Sequence, residues 1–143
     1  MGSEQNLATV QGIYEAFGKG DVPGLLDPLA DDVALEEWGE NHAQRAGVPW
    51  LQERHGRDGA GEFFALAGAW EIHDFQVLSM MAGGDQVVVE VLMDATPAGG
   101  SHFRDEELHL WTFGADGKVK RLRHYVDTAK HIAAAREEVP AAG

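Results

Sequence analysis

Two histidines and a glutamate near the C-terminal end of the chain have the types and spacing for acid–base chemistry. Residues 105–127 read DEELHLWTFGADGKVKRLRHYVD. The stretch alternates, breaks at Ala115-Asp116-Gly117, and alternates again. Alternation interrupted by Asp-Gly is a hairpin signal. A two-residue turn at Asp116-Gly117 pairs His109 with His124, and a four-residue loop pairs Glu107 with His124. Side chains repeat every second residue along a strand, so either pairing places Glu107, His109, Leu122 and His124 on one face. A three-residue loop with a bulge could break this. An imidazole titrates near pH 6.5 and can give or take a proton at neutral pH. A Glu107 carboxylate beside either ring would fix its tautomer and raise its pKa. Trp111 continues the same face as an apolar wall.

The elements that must position these groups are legible around them. Val10, Ile13, Tyr14 and Phe17 recur at helical spacing over residues 5–18, and Gly18-Lys19-Gly20 ends that helix. Asp21 is a good N-cap for a second helix with Pro23 in its first turn, and Pro28 ends or kinks it. Residues 33–38 read as a strand. Residues 40–56 are polar and without period, which reads as a loop, a candidate lid. Asp58 or Gly59 opens a third helix carrying Phe63, Phe64, Leu66 and Ala67. Strands follow over 72–81 and 86–95, separated by a turn at Gly83-Gly84-Asp85. After the hairpin, Asp127 or Thr128 caps a last helix to about Arg136, and the remaining tail frays. Helices segregated to one face of a curved antiparallel sheet make an α+β fold, and such a sheet can leave a cavity against its helices.

The chain has 143 residues, the length of one domain spanning 1–143. Its net charge of −13 argues against nucleic acid or an anionic membrane as partner. There is no cysteine, which excludes disulfide and thiolate chemistry and fits a cytoplasmic setting. No apolar run reaches transmembrane length. Seven histidines invite a metal, but no HxxxH, HxH or His-plus-carboxylate spacing marks a preformed site, and no metal or cofactor is expected.

Four segments in order resemble the NTF2-like α+β cone (cystatin-like) superfamily, and within it the SnoaL-like group of polyketide cyclases and ketosteroid isomerases. They are IYEAFGKGDVPGLLDPLADDVALEE (13–37), GRDGAGEFF (56–64), GDQVVVEV (84–91) and 109–127. The resemblance implies a curved sheet wrapped around N-terminal helices with an internal cavity. It implies a small, mostly apolar ligand and a homodimer through the outer sheet face. Val87, Val89, Val91 and Met93 would give that sheet an apolar side. By position, His124 and His109 fall where relatives keep catalytic aspartates, and the general-base position of the isomerases falls on Glu37. The isomerase tyrosine falls on Ile13, with Tyr14 one place along. The arginine that epoxide hydrolases of this fold use falls on Leu92, so their mechanism does not carry over.

The expected activity is therefore cofactor-free proton abstraction next to a carbonyl, leading to isomerisation, cyclisation or elimination. His124 or Glu37 would be the base and His109 the electrophilic donor. Tyr14, Phe17, Trp38, Phe63, Glu107, Trp111 and Leu122 would contact the substrate, a polyketide or steroid-like compound. The alternative is a non-catalytic ligand-binding or scaffold protein of the same fold.

Overall fold

The computed structural model describes residues 2–136; the expected fraying tail lies outside the described residues. Helix α1 (Ser3–Lys19) buries Val10 and Ile13, and Gly20 closes it in the left-handed conformation (φ 68°). Asp21 caps α2 (Val22–Leu26) by accepting the Gly24 N–H at 3.2 Å. Strand β1 (Leu29–Leu35) follows. The strand expected over 33–38 thus lies earlier, because Glu36 adopts φ 54° and breaks the extended backbone after Leu35.

Residues 40–56 are more structured than the loop expected there. They form α3 (His42–Arg45), a 3₁₀ turn (Pro49–Leu51) and the short strand β2 (Arg54–His55). Asn41 caps α3, and Ala43, Val48, Trp50 and Leu51 are buried. These elements are two to four residues long, too short for a hydrophobic period to register. Helix α4 (Gly56–Gly68) then packs over β1 and β2.

Strands β3 (Glu71–Gly83), β4 (Gln86–Thr96), β5 (Phe103–Phe113) and β6 (Val119–Tyr125) follow in hairpin order. Helix α5 (Thr128–Ala135) is capped by Asp127 and packs on β5. The sheet order is β2-β1-β6-β5-β4-β3. Every neighbouring pair is antiparallel except β1 with β6, which is parallel, so the sheet is mixed rather than antiparallel throughout. The reason is connectivity: β1 is separated from β6 by most of the chain and docks beside it running the same way.

The β5–β6 hairpin sets the site. Its loop holds two backbone bonds, Gly114 N–H to the Lys118 carbonyl and Gly117 N–H to the Gly114 carbonyl. Phe113 pairs with Val119, but Thr112 pairs with Arg121, leaving Lys120 as a bulge. Continued without that bulge, the ladder would pair His109 with Arg123 and turn His124 away. The extra residue restores His109 opposite His124. Val87, Val89, Val91 and Met93 are buried in the core. They belong to the inner face and are not available to an outer-face partner.

Candidate functional site

The inner face of the sheet, α1, α4 and α5 enclose a cavity of about 60 Å³, room for roughly four waters. His109, His124, Glu107, Trp111 and Leu122 line it from β5 and β6. Tyr14 and Phe17 line it from α1, and Phe63 from α4. Two expected residues are elsewhere. Glu37 is exposed, and its backbone carbonyl accepts a bond from Arg123. Trp38 sits under the Arg123 guanidinium, 4.6 Å from ring centroid to Cζ, and edge-on to Tyr125. It lines an outer groove that touches His124 from the opposite side.

The carboxylate that reaches the histidines is Glu36. The left-handed turn at Glu36 breaks strand alternation, so the inward position shifts by one residue. Glu36 is 1% exposed. One of its oxygens accepts the His124 backbone N–H at 2.9 Å and the Trp38 indole N–H at 3.3 Å; the other bonds His124 Nδ1. Burial disfavours the His124 imidazolium, but the Glu36 charge and hydrogen bond outweigh it and raise the pKa. With Nδ1–H committed to Glu36, Nε2 is the nitrogen left for a ligand. The geometry is that of a histidine base oriented by a buried carboxylate.

His109 is held differently. The Trp111 indole, which can only donate, gives its N–H to the Tyr14 oxygen at 3.2 Å. The Tyr14 hydroxyl lies 2.6 Å from His109 Nδ1, and His109 Nε2 lies 3.2 Å from Glu107 Oε1. Burial pushes the Tyr14 phenol up, so it keeps its proton and donates it to Nδ1. His109 then carries its own proton on Nε2 and donates it to Glu107. Burial and the nearby His124 lower the His109 pKa, which keeps this ring neutral. The two histidine rings are 4.4 Å apart, centroid to centroid.

Beyond Glu107 lies His131 of α5, a residue sequence reasoning passed over although it stands four places after the cap Asp127. Its Nε2 is 3.0 Å from both Asp105 Oδ2 and Glu107 Oε2, and its Nδ1 accepts the Trp50 indole N–H at 2.9 Å. Burial raises the Glu107 pKa, but the hydrogen bonds of His109 and His131, with the charge of His131, more than offset this and hold it well below the usual carboxylate range. Burial likewise opposes a charged His131, yet Asp105 and Glu107 raise its pKa to about 9. Protonation of Nδ1 requires the Trp50 indole to turn away.

Asp105, Glu107 and His131 have ligand atoms within 4.8 Å of one another. The expectation of no metal-ligating cluster missed this convergence, which sequence spacing does not carry. For that set to hold an ion on Nε2, His131 would move its proton to Nδ1, against the Trp50 N–H. The bonds present are those of a hydrogen-bonded cluster.

Residues 10–122 match the family described as the SnoaL-like domain. No curated protein matches the sequence. Among solved structures, an NTF2-like protein from Burkholderia xenovorans LB400 superposes with a TM-score of 0.75 at 22% identity, over 94% of this chain and 98% of that one. A candidate SnoaL-like polyketide cyclase from Mesorhizobium loti gives 0.61 at 25%, over 82% and 96%. A candidate ketosteroid isomerase from Kribbella flavida gives 0.63 at 18%, over 87% and 78%. These likenesses show the NTF2-like fold.

Proposed function

The chain belongs to the SnoaL-like domain family, and from that premise we propose that it is a cofactor-free acid–base enzyme of the isomerase, cyclase or lyase type. Its substrate is a small, mostly apolar carbonyl compound, and one of polyketide or steroid-like size requires the cavity to open beyond its about 60 Å³. The observation that carries this reading is the contrast between the two histidines. One is a base oriented by buried Glu36; the other is a neutral ring that accepts from Tyr14 and donates to Glu107.

In the proposed reaction, His124 Nε2 takes a proton from the carbon next to the carbonyl. The C–H electron pair forms a carbon–carbon double bond, and the carbonyl π pair moves onto oxygen to give an enolate. The Tyr14 O–H turns from His109 Nδ1 to that oxygen and stabilises the developing charge. In a substrate with a β,γ double bond, return of the proton from His124 to the γ carbon breaks that double bond, leaves a new one between the α and β carbons, and restores the carbonyl, which completes an isomerisation. Compared with the sequence-based expectation, Glu37 drops out as base. The donor becomes Tyr14, since the His109 N–H is engaged by Glu107.

A thermal-shift screen of carbonyl-bearing polyketides, steroids and terpenoids identifies ligands. Each hit is then incubated in D₂O, and exchange at the carbon next to the carbonyl is followed by NMR. The wild-type protein should catalyse exchange, and His124→Ala should slow it by about 10²-fold or more. An unchanged rate in His124→Ala removes the base assignment.

The second reading is a ligand carrier of the same fold. It is favoured by His109, whose two ring nitrogens are both engaged, one by Tyr14 and the other by Glu107. Binding without exchange selects it. We also infer a homodimer through exposed apolar side chains of the outer sheet face, Met81 and Leu108, with Leu78 beside them. Light scattering should give twice the chain mass, and Leu108→Glu should shift it toward monomer.

A further inference from the structure

We propose that the outer face of the sheet carries a binding site for a zinc-like divalent transition-metal ion, built by His73, Asp94 and His102 and separate from the cavity. One ligand atom from each of these side chains lies within 4.8 Å of the others. Their placement comes from the sheet. The β3–β4 ladder pairs Ile72 with Ala95 and Asp74 with Asp94, so His73 occupies an irregularity between the two pairs. Bulges of this kind re-aim a side chain, and here His73 joins Asp94 on the outer face. His102 arrives from the other side, immediately before β5, and the rings of His73 and His102 stand 5.4 Å apart.

The surroundings suit coordination. Asp94 divides its two oxygens: Oδ1 faces His102 Nε2, while Arg104 holds Oδ2 at 3.4 Å. Thr96 Oγ1 holds His73 Nε2 at 3.1 Å. Outer partners of this kind orient ligands in metal sites. The Asp94 side chain is 17% exposed whereas His102 is 57% exposed, so the carboxylate is anchored and the site opens to solvent. Bonds of about 2.0–2.2 Å around zinc place neighbouring donors roughly 3.3 Å apart. Small rotations of two exposed imidazoles close the set to that spacing. Two imidazoles and one carboxylate select zinc, nickel or copper over magnesium or calcium. The net charge of −13 favours any cation. An ion there would tie the β3 edge to the strands beside it, so binding should raise thermal stability.

Isothermal titration of the full chain with zinc chloride tests the site, with magnesium chloride as the comparison. One zinc equivalent and no magnesium uptake are expected. Asp94→Asn and His102→Ala should each weaken zinc binding by about tenfold or more, with circular dichroism confirming that both remain folded. His55→Ala, in a separate exposed grouping with Glu37 and Glu53, should bind as the parent does. Absence of saturable zinc uptake overturns the proposal. So does equal binding by the parent, Asp94→Asn and His102→Ala, or loss of binding in His55→Ala alone. None of these outcomes bears on the proton-abstraction reading, which concerns the inner face.

Discussion

Glu36 and Glu107 make the two cavity histidines chemically unlike. Both carboxylates are buried and each bonds an imidazole, but Glu36 meets a ring whose other nitrogen is left for a ligand. Glu107 meets a ring whose other nitrogen is already taken by Tyr14. A base must be neutral to accept a proton, so in the proposed reaction His124 would work above its own pKa, which Glu36 raises. The rate of any proton abstraction should therefore rise with pH along a limb lying above the ordinary histidine value of about 6.5. Glu36→Gln removes the charge and keeps the shape. It should move that limb to lower pH while lowering the plateau rate, because the imidazolium formed in the reaction loses its counter-charge. A pH–rate profile of deuterium exchange checks this. A limb that does not move would mean that Glu36 is only a structural partner. Glu37, the residue expected from the sequence, lies exposed one place beyond the buried Glu36 for a local reason. A single left-handed φ at Glu36 shifts which of two adjacent glutamates faces inward.

At the scale of elements, the position of α5 matters because it delivers His131 to Glu107. The turn before β5 holds the helix in place: Ser101 donates to the Ala134 carbonyl at 2.8 Å, and Gly100 packs under the same oxygen. A Cβ at Gly100 would stand 2.6 Å from that carbonyl. The clash is with backbone, so no side-chain rotation relieves it. Gly100→Ala should cost about 1–3 kcal/mol, read as a lower midpoint in urea unfolding. The same change should weaken ligand binding through displacement of His131. A substitution with parental stability would show that α5 has room to shift. The hairpin carries a related lesson. Its alternation and Asp-Gly turn were readable in the sequence, and they led to the correct facing of His109 and His124. The bulge at Lys120 that produces this register has no residue signature, and the simple two-residue turn gives the same pairing by a different path.

For the molecule as a whole, the buried titratable groups pull stability in opposite directions with pH. Glu107 has a depressed pKa, so its contribution is present above the unfolded carboxylate value of about 4.3 and is lost as pH falls through its folded value. His109 also has a depressed pKa. Below about 6.5 the unfolded chain takes up a proton that the buried ring refuses, which destabilises the fold further. His124 and His131 have raised values. Their contribution is complete below about 6.5 and is lost as pH rises through their folded pKa, about 9 for His131. Unfolding free energy measured by urea titration from pH 4 to 10 should therefore peak near neutrality and fall on both sides. His131→Phe should flatten the alkaline limb. A profile level between pH 6.5 and 10 would contradict the assignment. Among the described residues, no helix is long and apolar enough to cross a membrane.

Sequence alone determined the α+β class, the helix caps at Asp21 and Asp127, the strand order through β3–β6, and the shared face of Glu107, His109, Leu122 and His124. These follow from period, turn residues and capping, which act over a few neighbours. Tertiary structure decided the rest. It brought Glu36 to His124 across 88 positions and Trp50 to His131 across 81. It set β1 parallel to β6, turned the valines of β4 inward, and left Trp38 on the outer groove. Such contacts depend on how sheet and helices meet in space. No local pattern encodes them, because hydrogen bonds between distant side chains place no periodic demand on the residues between.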